Sequence, residues 1–125
     1  ELIEKSYSVI YLSAVQLFDL LADYSFKRSN TTIYRQISFD ELLRCDLLII
    51  DDLGTENLNS VKFAELFNVI NTRLLNQNNH ITKTIISTNL TLNNLFNNYD
   101  ERIFSRLAGY YNICKFFGDD IRLKR

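Results

Sequence analysis

The 125-residue chain has no proline, no methionine and no tryptophan, one histidine, two cysteines and three glycines. Cys45 and Cys114 are too few to staple a small fold, which excludes a disulfide scaffold and favours a reducing, cytoplasmic setting. His80 stands in a polar stretch with no Cys or acid at ligand spacing, so a zinc-type cluster is not expected. No apolar run approaches the roughly 18–20 residues of a membrane span and no signal peptide is visible, which argues against a membrane partner. Charge of one sign is not in excess either: 14 Lys+Arg face 15 Asp+Glu. That balance excludes a broadly basic nucleic-acid glove. A translated chain begins with Met, and this one begins with Glu1, so a fragment or trimmed piece is expected.

Enough apolar residues are present, 46% of the chain, to build a single buried core and to exclude a disordered tail. Residues 1–5 read as the last turn of a helix. Residues 8–13 (SVIYLS) are β-branched and aromatic enough for a strand. Ser13 and Gln16 form a capping box that opens a helix to about Tyr24, with Leu17, Leu21 and Tyr24 on one face. Residues 27–32 (KRSNTT) make the clearest loop. A second capping box, Ser38 with Glu41, starts a short helix ending near Arg44.

The run 46–52 (DLLIIDD) places four apolar residues before two carboxylates, which suits a central strand covered on both faces and ended by Gly54. Phe63, Leu66, Phe67, Ile70 and Leu74 recur three and four apart and predict a long helix over 60–77. A polar turn at 76–80, a strand at 83–88 (KTIIST), a short helix capped by Thr91 and another from Asp100 to about Ala108 follow. Residues 112–117 (NICKFF) read as the last strand. Strands alternating with helices predict an α/β fold, a mostly parallel sheet with helices on both faces.

Chemistry concentrates where strands end. In an open parallel sheet, ligands bind beyond the carboxyl ends of the strands, and Asp51 and Asp52 sit at such an end. Two acids there suit Mg²⁺, which takes oxygen ligands and is commonly held by one or two carboxylates plus substrate phosphates. The same pattern also describes a strand running into a solvated acidic turn. Ser87, Thr88 and Asn89 end a second strand; Asn89 can orient a water or touch a phosphate, although such a trio also serves as turn chemistry. Arg102 and Arg106, four apart, share one helical face. They suit charge stabilisation in phosphoryl transfer, or a solvated face paired with Asp100 and Glu101.

In this order and spacing, with the ending 118–125 (GDDIRLKR), these segments resemble the AAA+ ATPases of the bacterial DnaC/DnaI helicase-loader family and its IstB-like relatives. Residues 46–56 (DLLIIDDLGTE) are similar to the family's Walker B segment, 84–89 (TIISTN) to strand four with sensor 1, and 101–107 (ERIFSRL) to the arginine-finger box. The resemblance runs over residues 1–125. It implies a three-layer parallel sheet of the P-loop NTPase type, in the order 5-1-4-3-2. It further implies Mg²⁺ at Asp51, a water polarised by Asp52, sensor 1 at Asn89 and a finger at Arg106 acting on a neighbouring subunit. Arg102 would support that interface, and Arg122 would lie near sensor 2. Glu is the more frequent acid at the position of Asp52 in AAA+ proteins, though this family accepts Asp.

What the resemblance implies for the parent protein is ATP with Mg²⁺ as cofactors, a DnaB-type replicative helicase as partner, self-association and contact with single-stranded DNA. Loading of that helicase is the expected function, with an IstB-like transposition helper or a non-catalytic assembly module as alternatives. The phosphate loop G-x-x-x-x-G-K-[ST] does not occur: Gly54, Gly109 and Gly118 are isolated. These residues are therefore expected to form a partial core without strand one, and not to bind or hydrolyse ATP alone. The strand edges so exposed are expected to drive closure or association. Lys27, Arg28, Lys62, Arg73 and Lys83 are too dispersed to trace a DNA path, whereas Arg122, Lys124 and Arg125 form a short basic cluster. A phospho-acceptor receiver domain shares the residue types Asp51/Asp52, Ser87/Thr88 and Lys115, but its strand order does not fit.

Overall fold

The computed structural model describes residues 1, 3–26, 37–54, 59–76 and 80–124. The elements are β1 (Val9–Ser13), α1 (Ala14–Phe26), α2 (Phe39–Arg44), β2 (Leu47–Leu53), α3 (Ser60–Leu75), β3 (Lys83–Thr88), α4 (Leu92–Asn98) and α5 (Glu101–Tyr110), with 3-10 turns at Ile3–Lys5 and Ile121–Lys124. Both expected capping boxes form. Gln16 N–H donates to Ser13 Oγ at 3.2 Å and Ser13 N–H to Gln16 Oε1 at 2.9 Å; Ser38 and Glu41 exchange the same pair at 3.1 and 2.7 Å. Each box satisfies two of the amide donors that a helix start leaves unpaired. The expected loop at 27–32 lies outside the described residues, as do residues 77–79 of the polar turn.

All strands are parallel, in the order β1-β2-β3, so β2 is central as its apolar run implies. This order matches the 4-3-2 half of the sheet expected from the resemblance. The register sets Ile10 beside Leu48, Leu12 beside Ile50 and Ile50 beside Ile86. Leu12, Leu48 and Ile50 on this face are buried with Leu17, Phe18 and Leu21 of α1 and Leu66, Val69 and Ile70 of α3. Fully burying one such side chain contributes about 1.5–3 kcal/mol, so this layer of helices on sheet holds most of the core.

Two expectations need correction. On the opposite face Tyr11 and Ile85 are more than half exposed, and none of its strand residues is fully buried. The helices therefore cover one face of the sheet among the described residues, not both. Residues 112–117 form no strand either. A strand needs a ladder partner for its amides, and in the 5-1-4-3-2 order that partner is strand one, a place no described strand takes. Cys114 is consequently exposed instead of a core residue, while Cys45 is buried as expected. No helix of the described residues is long and apolar enough to cross a membrane.

Candidate functional site at the carboxyl end of the central strand

Regular pleating would put Ile50 and Asp52 on one face of β2 and Asp51 and Leu53 on the other. Ile50 is fully buried, so a regular strand would drive the Asp52 carboxylate toward the core. The ladder avoids this by a bulge: Ile50 pairs with Ile86 and Leu53 with Thr88, so Asp51 and Asp52 together oppose Ser87. Asp52 takes a left-handed backbone, φ 61°, uncommon for any residue but glycine and tolerated best by Asp and Asn. The result returns Leu53 to the core, 1% exposed, and leaves Asp52 in solvent. Bulges of this kind gather beside active sites because they re-aim a side chain.

Hydrogen bonds from both flanking strands fix the bulge. The Ser87 hydroxyl donates to Asp51 Oδ1 and accepts from Asp52 N–H at 2.9 Å. From β1, the Tyr11 hydroxyl donates to Asp51 Oδ2. The Thr88 hydroxyl donates to Leu53 O at 2.6 Å and accepts from Leu90 N–H at 3.1 Å, tying the strand end to the turn after β3. Gly54 follows with φ +107°, a backbone that favours glycine, and a Cβ there would meet Leu90 Cδ1 at 2.5 Å and force that side chain to shift. The donors from Ser87 and then Tyr11 hold the Asp51 carboxyl below the usual carboxylate range, and the same bond raises the Tyr11 phenol.

Of the residues singled out in the sequence, the fold brings Asp51, Asp52 and Ser87 together. Asn89 lies two residues beyond Ser87 in the exposed bend that ends β3. Arg122 is bound to Asp120, Nη2 to Oδ2 at 2.9 Å, and its guanidinium also feels the Asp52 carboxylate, which raises its pKa further. Arg102 and Arg106 are elsewhere. They lie along α5 over α3, with their guanidinium carbons 4.8 and 5.7 Å from the Phe67 ring centroid. Arg106 Nε donates to Asn71 Oδ1 at 3.1 Å, and Arg102 Nε to its own helix cap, Asp100 Oδ1, at 3.0 Å. Asn71 is eleven residues into α3, about 16 Å along the axis from its start at Ser60. The arginines thus flank the helix layer, away from the acids of the same chain.

Two further residues have roles that the sequence does not announce. Tyr11 reads as an ordinary strand aromatic; only the register, with Tyr11 beside Ile49, shows that its hydroxyl falls within reach of Asp51. Arg73 is 1% exposed, its side chain turned into the fold. Its guanidinium donates to Leu42 O and Cys45 O at 3.0 Å, to Lys83 O at 2.7 Å and to Thr84 Oγ1 at 2.9 Å. His80, with no acid at ligand spacing along the sequence, meets Asp46 Oδ1 at 2.9 Å across the fold. Among the described residues no three His, Cys, Asp or Glu side chains converge on a metal position. The oxygens of Asp51 and Asp52 do fit a hard divalent cation that takes its remaining ligands from phosphate and water, because each carboxylate oxygen keeps lone pairs beyond the bonds described.

A family model described as IstB-like ATP binding protein matches residues 1–125. No curated protein sequence matches the chain. Among solved structures, the replication initiator DnaA bound to AMPPCP and single-stranded DNA is similar at a TM-score of 0.67 and 22% identity, over 88% of this chain and 31% of that one. AMPPCP-bound DnaA from Aquifex aeolicus gives a TM-score of 0.66 and 22% identity over 85% and 30%. A DNA replication initiation factor gives 0.67 and 21% over 90% and 32%. The chain spans about a third of those structures, and the likeness is one of fold, the parallel α/β sheet of AAA+ P-loop NTPases.

Proposed function

The chain belongs to the family of IstB-like ATP binding proteins, and on that premise we propose that it carries the hydrolytic and subunit-contacting part of an ATPase that loads the replicative DNA helicase. The observation that supports this most is the acid pair on a fixed bulge at the carboxyl end of the central strand. Asp51 would hold Mg²⁺, which when bound neutralises charge on the transferring phosphoryl group. Asp52, aimed into solvent by its backbone, would accept a proton from the attacking water and orient it. Asn89 would position that water from the neighbouring strand end. Arg106 would meet the nucleotide of an adjacent subunit, with Arg102 braced by Asp100 beside it. Arg122, already within the field of Asp52, would contact the nucleotide from the same side.

The phosphates themselves need backbone donors of a glycine-rich loop, and none of the three isolated glycines provides one. Single-stranded DNA is a reasonable second ligand of the assembled protein, by analogy with the DnaA structure that contains it. A transposition helper ATPase is the alternative, favoured by the family description itself. The test uses the whole gene product that carries these residues. Asp52→Asn and Arg106→Ala should each lower ATP turnover by about 100-fold or more while ATP binding stays near wild type. Loss of binding and turnover in parallel, or undiminished turnover, would sink the assignment. ATP-dependent recovery of a DnaB-type helicase supports the loader, and recovery of a transposase instead supports the helper.

A further inference from the structure

The acid proposed to hold Mg²⁺ is gripped from two sides, and only one side was visible in the motifs. Ser87 belongs to the strand-end trio. Tyr11 comes from β1, where it is 59% exposed on the open sheet face, so its burial explains little of why a residue of this size stands there. Its backbone pairs with Ile49, and its hydroxyl reaches two residues further along β2 to Asp51 Oδ2. With Oδ1 held by Ser87 and Oδ2 by Tyr11, the carboxylate cannot rotate without breaking a bond to one flanking strand. The remaining lone pairs are thereby left facing a fixed direction.

We propose that Tyr11 is a positioning residue for the divalent-cation site, acting through its hydroxyl to fix the rotamer of Asp51. This rests on the functional reading above. Partners that orient a ligating carboxylate are worth about 10–100-fold in metal affinity or activity when removed. A phenylalanine would keep the ring on the sheet and lose only the hydroxyl.

The experiment compares wild type, Tyr11→Phe and Ser87→Ala in the whole gene product, with Mn²⁺ as a paramagnetic probe for the Mg²⁺ position. Electron paramagnetic resonance titration gives Mn²⁺ affinity with an ATP analogue present, independently of turnover. Tyr11→Phe should bind Mn²⁺ about 10-fold more weakly and require more Mg²⁺ for half-maximal ATPase, with KM for ATP and the thermal midpoint close to wild type. Ser87→Ala should do more, because Ser87 also accepts from Asp52 N–H. Equal Mn²⁺ affinity in wild type and Tyr11→Phe overturns the role of Tyr11, whether or not the wild type hydrolyses ATP. Weaker Mn²⁺ binding without hydrolysis by the wild type would uphold Tyr11 and sink the ATPase reading. Absence of Mn²⁺ binding in all three overturns both.

Discussion

The central strand carries an aspartate at each end, and the two are bound in parallel ways for opposite ends. Asp46 precedes β2; its carboxylate accepts from Ser8 N–H at 2.7 Å, from Ser8 Oγ at 2.9 Å and from His80 Nε2, while its own N–H donates to Ser8 Oγ. Its carbonyl accepts from Lys83 N–H at 2.8 Å, so this one residue ties the starts of all three strands. Asp51 ties the other ends through Tyr11 and Ser87. Next to Asp46, however, lies Arg73, which closes the remaining backbone carbonyls, and next to Asp51 lies a second acid in a left-handed conformation. One end of the strand is completed internally. The other holds charge and strain directed outward, as a ligand site requires.

That contrast breaks most sharply at Arg73. Replacing it with Met keeps the stem buried but removes the guanidinium donors to Leu42 O, Cys45 O and Lys83 O, with Leu42 O keeping only the Cys45 Sγ contact at 3.6 Å. An unsatisfied buried polar group costs about 1–3 kcal/mol, so the loss should be about 3 kcal/mol or more. Urea unfolding measures it. A loss below about 1 kcal/mol would mean that the closed end is not what holds the sheet.

Asp46→Asn should give the next largest effect, a fall of a few degrees in thermal midpoint for a domain of this size. Ser8 is the main cause that holds the Asp46 carboxyl below the usual range, with a smaller part from His80. A carboxyl whose pKa is lowered on folding stabilises the fold above its unfolded value of about 4 and ceases to do so as pH falls through the lower folded value. The gap between wild type and Asp46→Asn should thus be full at pH 6 and close on acidification below about pH 4. A gap that widens with acid would contradict the assignment.

How far the sequence reaches follows the same division. Ser13 with Gln16, Ser38 with Glu41, and the apolar runs of β2 and α3 are local signals, and each forms the element read from it, although β2 is covered by helices on one face only. The acid pair is legible because its position after an apolar run is itself local. Tyr11, Arg73 and the pairing of Asp46 with His80 depend on register and on which residues the crossovers bring together, information spread over 28 to 40 positions. The bulge is legible only in retrospect, from Ile50 and Leu53 both needing burial around an acid that does not. Residues 112–117 mislead for the opposite reason: their β-branched and aromatic composition is a strand signal, but no described strand offers the ladder.

The smallest expected effect is the most discriminating, because it repeats the Asp46 substitution at the other end. Asp52→Asn preserves shape, and asparagine tolerates the left-handed conformation at φ 61° as well as aspartate does. Its backbone N–H still donates to Ser87, so the bulge keeps its anchor. What disappears is one of two adjacent like charges, together with its attraction for the Arg122 guanidinium, and the two oppose each other. Stability should therefore stay within about 0.5 kcal/mol of wild type, while turnover in the whole gene product collapses. Differential scanning calorimetry of Asp46→Asn and Asp52→Asn side by side gives the sign directly. If both fell by the same amount, the carboxyl end of β2 would be as much a structural clasp as the amino end, and Asp52 would lose its claim to be held there for chemistry.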